Sequence, residues 1–133
     1  MNVYVSKSNT FDQEVFQIVV NELDENINVT YHDPSGKYDP SKIENCDVII
    51  GIMDDGQAII GRGQYGELTK AAAANKKVYI VSVHDGLIRV NSLEEIRKLD
   101  DANWKVYAHI NYEFLADYDL NSGAFVDFIE NAP

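Results

Sequence analysis

Short apolar runs rich in β-branched residues alternate along the chain with segments whose apolar residues recur at helical spacing. The runs predict five strands, at 2–6, 27–32, 47–53, 77–83 and 106–110. The segments between them predict helices, because side chains three and four positions apart share one helix face. These helices are expected up to residue 23, over 64–75, near 92–99 and after residue 122.

This alternation predicts a parallel sheet, since a helix that joins two strands carries the chain back across the sheet. The runs at 47–53 and 77–83 contain few polar residues and are expected at its centre. We therefore predict an α/β fold of the flavodoxin-like type, a three-layer sandwich whose five-stranded parallel sheet has the order 2-1-3-4-5.

The fold also predicts where a ligand would bind. Such sheets bind ligands beyond the carboxyl ends of the strands, where the winding direction changes, which is between strands 1 and 3. Two loops are expected at that point, at 6–10 and 54–67. Residues of these loops are therefore the first candidates for a site.

Composition narrows the class of protein. The 133 residues suit one domain, 1–133, and 45% are hydrophobic, enough for a packed core. The formal net charge of −11 disfavours duplex nucleic acid and anionic membranes as partners. The single cysteine, Cys46, is expected to be a buried thiol in a reducing compartment. With no signal-peptide pattern and no apolar run of membrane length, the sequence predicts a cytoplasmic protein.

The histidines do not indicate a metal site, and we expect neither a metal nor a cofactor. His32, His84 and His109 fall on separate predicted strands, without the spacing of metal ligands. A small polar ligand or a single nucleoside is compatible with the acidic chain, because the local arrangement of side chains at a site can outweigh the net negative charge of the protein.

Three carboxylates are the main candidates for chemistry. Asp54 and Asp55 follow the strand predicted at 47–53, and Glu67 lies early in the next predicted helix. Carboxylates brought together raise one another's proton affinity, so that one can act as an acid while another stays ionised. This division of roles suits cleavage of a glycosidic bond. A structural interpretation stays open, with the aspartates in a turn and the glutamate favouring the positive end of a helix.

Glycines surround the predicted start of that helix. Gly61, Gly63 and Gly66 are expected to permit positive backbone angles and the close approach of a ligand. Arg62, between the first two, can either pair with the nearby glutamate or contact a ligand phosphate. Tyr65 can either stack on a base or pack on the sheet.

The span 46–81 combines these features in one order: an apolar strand, acidic residues, a glycine-containing loop, a glutamate, an alanine-rich helix and another apolar strand. The residues concerned are Asp54 and Asp55, Gly61 and Gly63, Glu67, and 76–81. In this order the span resembles the central part of the nucleoside 2-deoxyribosyltransferase family. The first strand, VYVS, and the polar loop after it are also similar to that family, which implies a single domain of this type.

The resemblance implies that Glu67 is a nucleophile. It would attack C1′ of a 2′-deoxynucleoside or nucleotide, expel the base and form a deoxyribosyl ester that a second base or water resolves. Asp54 or Asp55 would assist proton transfer at the base. Tyr4 and Ser6 would line the pocket.

The resemblance also implies self-association, as a dimer or a larger homo-oligomer. In the family, the C-terminal region of a neighbouring subunit often completes the pocket. Asn111 and Tyr112 are the residues that could take that part here. A strand end at the surface is the structural alternative for both.

Two other functions stay open. A non-catalytic nucleotide-binding or interaction module could use the same cleft without breaking a bond. A flavin carrier is the second, because the loop at 6–10, SKSNT, is rich in polar residues, as the phosphate loops of flavodoxins are. That loop lacks their tight glycine–threonine pattern.

Overall fold

The chain forms a mixed β-sheet with helices on both faces. The structure is a computed structural model that describes residues 1–7, 13–23, 27–31, 40–52, 62–92 and 113–131. The elements in chain order are β1 (Asn2–Ser6), α1 (Gln13–Leu23), β2 (Asn28–Thr30), α2 (Ser41–Glu44), β3 (Val48–Ile52), α3 (Arg62–Ala73), β4 (Lys77–His84), β5 (Leu87–Ser92), β6 (Glu113–Asp119) and α4 (Ala124–Glu130).

The sheet is parallel in its first part and antiparallel in its second. Within the described residues it has six strands, in the order β2-β1-β3-β4-β5-β6. The pairs β1–β2, β1–β3 and β3–β4 are parallel, whereas β4–β5 and β5–β6 are antiparallel. The mixed α/β class and the order of the first four strands are as predicted. The expected count of five, all parallel, is wrong, and the strand predicted at 106–110 lies outside the described residues.

A tight hairpin between β4 and β5 accounts for this difference. His84 pairs with Leu87, so that only Asp85 and Gly86 form the loop. Both loop residues have positive φ, 48° and 77°, which is the pattern of the two-residue turn that matches the twist of a hairpin. The chain therefore returns antiparallel at once. Ser92, where a helix near 92–99 is predicted, is the last residue of β5, and the rest of that predicted helix lies outside the described residues.

The first face of the sheet buries its apolar side chains under α1 and α4. Phe16 and Leu23 of α1 and Phe125 and Ile129 of α4 belong to one cluster with Val5 of β1. Each of these side chains is at most 3% exposed. Removing this area from water stabilises the fold by roughly 25 cal/mol per Å².

The second face buries a smaller cluster under α2 and α3. Tyr4 and Ile49 point to this side, because alternate residues of a strand face opposite sides of the sheet. They pack with Ile43 of α2 and with Tyr65 and Leu68 of α3. All five side chains are at most 1% exposed.

The helix α3 lies close to the sheet because Gly51 of β3 has no side chain. A Cβ atom at this position would lie 3.0 Å from Cδ1 of Ile80 and 3.2 Å from both Cδ atoms of Leu68. Leu68 therefore occupies the space above Gly51. Since Glu67 precedes Leu68, this contact also sets the height of the glutamate above the sheet.

The start of α3 differs from the prediction. The helix begins at Arg62, so Gly63 and Gly66 are helical residues and Glu67 is in the second turn. Among the described residues, the glycines with positive φ are Gly86 and Gly123. The expectation that Gly63 and Gly66 supply positive backbone angles is therefore wrong.

The expectation for Cys46 is confirmed, since the thiol is buried. The residue is 2% exposed, and its Sγ donates a hydrogen bond to the carbonyl oxygen of Ile43 at 3.0 Å. Burial raises the pKa of the Cys46 thiol above its ordinary value, and the nearby Lys76 opposes this only in part.

Replacing Gly51 with alanine should destabilise the protein by about 1–3 kcal/mol, because the new methyl group would overpack the contact with Leu68. Gly63→Ala is the matched control: its Cβ would meet no described atom within 4 Å, and alanine favours a helix by about 0.5–1 kcal/mol. Urea unfolding measures both changes. Equal midpoints for Gly51→Ala and the wild type would contradict the close packing of α3 on β3.

Cys46 should react with a thiol reagent far more slowly in the folded protein than in the unfolded chain at about pH 8. The raised pKa also makes stability depend on pH. The stabilising contribution is complete below the ordinary thiol pKa and is lost as pH rises through the folded value. A colorimetric thiol assay with and without denaturant measures the rate of this reaction. Rapid labelling of the native protein would show that the Cys46 thiol is accessible to solvent and would contradict its burial.

Candidate functional site

The candidate site lies at the carboxyl ends of β1 and β3. The strand order reverses between them, because β1 has β2 on one side and β3 on the other. Ser6, the last residue of β1, is in register with Gly51, next to the end of β3. Ligands of open α/β sheets bind at this position. The first two turns of α3 supply the side chains that reach it.

The central contact joins Ser6 to Glu67. The Ser6 hydroxyl donates a hydrogen bond to Oε1 of Glu67 at 3.1 Å, across 61 positions of sequence. Ser6 is 1% exposed, and the second carboxylate oxygen of Glu67, Oε2, is also buried from solvent. A hydroxyl that donates to a carboxylate fixes its orientation and stabilises its charge. The two residues, both predicted for the site, are therefore brought together.

A third residue, Gln64, was not predicted for the site. Its Nε2 donates hydrogen bonds to the carbonyl oxygens of Ser6, at 3.1 Å, and Ile52, at 2.8 Å. These carbonyls belong to the last residues of β1 and β3. Gln64 is 2% exposed, and its Oε1 is buried without a hydrogen-bond partner among the described residues.

A sequence signal for Gln64 did exist. Positions 64, 68 and 71 share one face of α3, and Leu68 and Ala71 are both fully buried on it. A glutamine on an otherwise apolar helix face needs a hydrogen-bonding reason, because burying an amide without partners is costly. The pattern alone does not reveal that the partners are the ends of two strands.

The two tyrosines lie beneath the site, in the core. Tyr4 and Tyr65 are each 1% exposed and belong to the cluster under α3. Of the two interpretations of Tyr65, the structure favours packing on the sheet, because the buried ring offers no free face to a base. Tyr4 likewise supports the site from below and does not line an open pocket.

The two helical glycines leave the backbone of α3 open on one side. A Cβ atom at Gly63 or Gly66 would meet no atom of the described residues within 4 Å. Gly63 is four positions before Glu67, on the same face of the helix. Close approach to the backbone beside the glutamate is therefore sterically possible, although the reason is the missing side chains and not an unusual φ.

Five of the predicted site residues lie outside the described residues, and their roles stay predictions. They are Asp54, Asp55, Gly61, Asn111 and Tyr112. The side chain of Arg62 is also outside them, so its pairing with Glu67 or a phosphate stays a prediction too.

Neither a metal centre nor a membrane-spanning helix is found among the described residues. Within the ranges that the structure describes, no group of three or more histidine, cysteine, aspartate or glutamate side chains could hold a metal ion. None of the helices in those ranges has the length and apolar character needed to span a bilayer.

Comparison with known proteins does not place the chain in a family. No family model and no curated protein matches the sequence. One similar solved structure is described as a heterocyclase in complex with substrate and cofactor, with a TM-score of 0.41 and 12% identity. The similarity covers 67% of this chain and only 11% of the heterocyclase chain. A likeness at this level carries no argument about fold or function.

The contact between Ser6 and Glu67 should give a coupling free energy of about 1–3 kcal/mol in a double-mutant cycle with Ser6→Ala and Glu67→Ala. The exposed pair Gln17 and Asn21, hydrogen-bonded at 2.8 Å on α1, is the control, and its coupling should stay below about 0.5 kcal/mol. Urea unfolding of the variants supplies both values. Additive effects at Ser6 and Glu67 would mean that the hydrogen bond does not form in solution.

Proposed function

We propose that the protein cleaves the N-glycosidic bond of a 2′-deoxynucleoside or nucleotide, with Glu67 as the nucleophile, and passes the sugar to a second base or to water. The observation that carries this proposal is the hydrogen bond from Ser6 to Glu67 at the carboxyl ends of β1 and β3. It holds a carboxylate in a defined orientation at the point where this kind of sheet binds small molecules. The resemblance of 46–81 to the deoxyribosyltransferase family supplies the substrate class.

In the first step, a carboxylate oxygen of Glu67 forms a bond to C1′ while the bond from C1′ to the base nitrogen breaks. The base leaves with the electron pair of that bond and takes up a proton, for which Asp54 or Asp55 is the proposed donor. In the second step, the nitrogen of another base or the oxygen of water attacks C1′ and releases the carboxylate. The attacking atom loses its proton to the same acid–base group.

The surroundings of Glu67 suit this role. The Ser6 hydroxyl binds Oε1 of Glu67, and the second oxygen, Oε2, which is buried from bulk water, is the atom that we propose attacks C1′. A carboxylate with little hydration needs to shed less water before it attacks. Its negative charge also stabilises the cationic, oxocarbenium-like transition state of glycosidic cleavage.

The sugar would approach along the open side of α3. Neither Gly63 nor Gly66 carries a side chain that would block access to the backbone beside Glu67. A side chain at Gly63 would lie on the helix face that presents the glutamate, and a side chain at Gly66 would lie on the adjacent face. We therefore assign both glycines to the substrate path.

The same proposal includes the finer features expected of the family. These are a three-layer, flavodoxin-like sandwich, a cytoplasmic location and self-association that brings Asn111 and Tyr112 of a neighbouring subunit to the pocket. The order of the first four strands and the burial of side chains on both faces of the sheet support the sandwich.

A non-catalytic nucleotide-binding module is the second candidate. The observation that favours it is that both oxygens of the Glu67 carboxylate are engaged or shielded, one by Ser6 and the other by burial. A carboxylate held in this way can accept hydrogen bonds from a ligand without attacking it. Such a module would bind the nucleotide and leave it intact.

Incubation of the protein with deoxynucleosides and deoxynucleotides, with and without a free acceptor base, tests the proposal by chromatography of the bases. We expect released or exchanged base, and a loss of at least about 10³-fold in rate for Glu67→Ala and Glu67→Gln, because neither side chain is a nucleophile. Glu130→Gln, on the exposed end of α4, is the control and should keep the full rate.

Two results would contradict the proposal. Full activity of Glu67→Ala would exclude the glutamate as nucleophile. Tight binding of a nucleotide that stays intact after long incubation would favour the non-catalytic module.

A further inference from the structure

We infer that Gln64 is a positioning residue for the Glu67 carboxylate, acting through Ser6. The kinetic consequences of this inference rest on the proposed function, whereas the structural role of Gln64 in orienting Glu67 does not. Gln64 does not touch the reacting atoms in this account. It holds the end of β1 so that the Ser6 hydroxyl meets the glutamate.

The geometry of the contacts leads to this role. An amide NH₂ group has two hydrogens, and Nε2 of Gln64 has two acceptors, the carbonyl oxygens of Ser6 at 3.1 Å and Ile52 at 2.8 Å. The amide therefore ties α3 to the ends of both strands at once. Ser6 is held by α3 twice, at its carbonyl by Gln64 and at its hydroxyl by Glu67 at 3.1 Å.

The site needs this link because of where the strands end. Ser6 and Ile52 are the last residues of β1 and β3, and their carbonyl groups require hydrogen-bond donors where these strands end. Gln64 supplies both donors from one rigid, planar group. These two hydrogen bonds thereby restrain the distance between the two strand ends beside Glu67.

The buried amide oxygen of Gln64, for which the described residues supply no hydrogen-bond donor, argues against a role in packing alone. Its Oε1 is buried and accepts no hydrogen bond from the described part of the chain, which is destabilising. A methionine or leucine would fill the same volume on the apolar face of α3 without that cost. The hydrogen bonds donated by the amide NH₂ group therefore explain why a glutamine occupies position 64.

A series of variants at this position separates positioning from packing. Gln64→Met keeps the length of the side chain and removes the donors, whereas Gln64→Glu places acceptors against two carbonyl oxygens. Ser6→Ala is the reference in which the hydroxyl itself is missing. Gln17→Met, on the exposed face of α1, is the matched control for the substitution.

The first readout does not depend on catalysis: it is the ¹³C resonance of the Glu67 side-chain carboxyl group at neutral pH. We expect Gln64→Met to move this resonance toward its value in Ser6→Ala, Gln64→Glu to move it further than Gln64→Met, and Gln17→Met to leave it unchanged.

In the kinetic assay, Gln64→Met should lower kcat by about 10- to 100-fold. KM should change much less, because the displaced Glu67 carboxylate takes part in the reaction and not in substrate binding.

The outcomes separate this inference from the proposed function. If the carboxyl resonance in Gln64→Met equals that of the wild type while Ser6→Ala moves it, Gln64 does not position the glutamate. If Ser6→Ala leaves the resonance unchanged, the hydrogen bond itself is absent and the inference is overturned. If the variants show the expected resonance changes but the wild type shows no turnover, only the proposed function fails. Should Gln64→Met not fold, Gln64→Asn, which is too short to reach both carbonyls, must move the resonance in the same direction.

Discussion

The hydrogen bonds that α3 makes to the ends of β1 and β3 are the constraint on which the rest of the site depends. Gln64 holds the backbone of both strands, and Glu67, one turn further on, accepts the hydroxyl of Ser6. Both contacts require α3 to lie close above the sheet. That approach is possible because Leu68 fills the space left by Gly51. One missing side chain in the core thus sets the position of two polar groups at the surface of the sheet.

This arrangement couples stability to chemistry. The face of α3 that carries Leu68 is buried, whereas Gly63 is exposed and Glu67 is half-buried, so one short helix contributes to the core and to the candidate site together. In the function that we propose, the half-buried Glu67 carboxylate, oriented by Ser6 where the winding direction changes, reacts with the anomeric carbon of the sugar. The net charge of −11 is the reason why we predict no duplex nucleic acid as a partner and propose a single nucleoside or nucleotide instead.

Local pattern could predict the strands β1, β3 and β4, because their continuous apolar runs require burial on both faces. It could not predict that α3 begins at Arg62, because Gly63 and Gly66 have a low helix propensity, whereas the packing of the helix on the sheet is a tertiary contact that local pattern does not show. The hairpin at Asp85 and Gly86 was predictable from turn chemistry and was missed. Ser6 and Glu67 follow from fold geometry, whereas the role of Gln64 depends on strand-end carbonyls that no sequence pattern displays.

The central claim is that Glu67 forms a covalent bond to the sugar, and mass spectrometry of the quenched reaction tests it most directly. The protein, mixed with a deoxynucleoside in the absence of an acceptor base and stopped rapidly in acid, should gain the mass of one deoxyribosyl group. Peptide fragmentation should place that group on Glu67. Release of base with the added mass on another residue, or unmodified protein beside an intact nucleoside, would contradict the account.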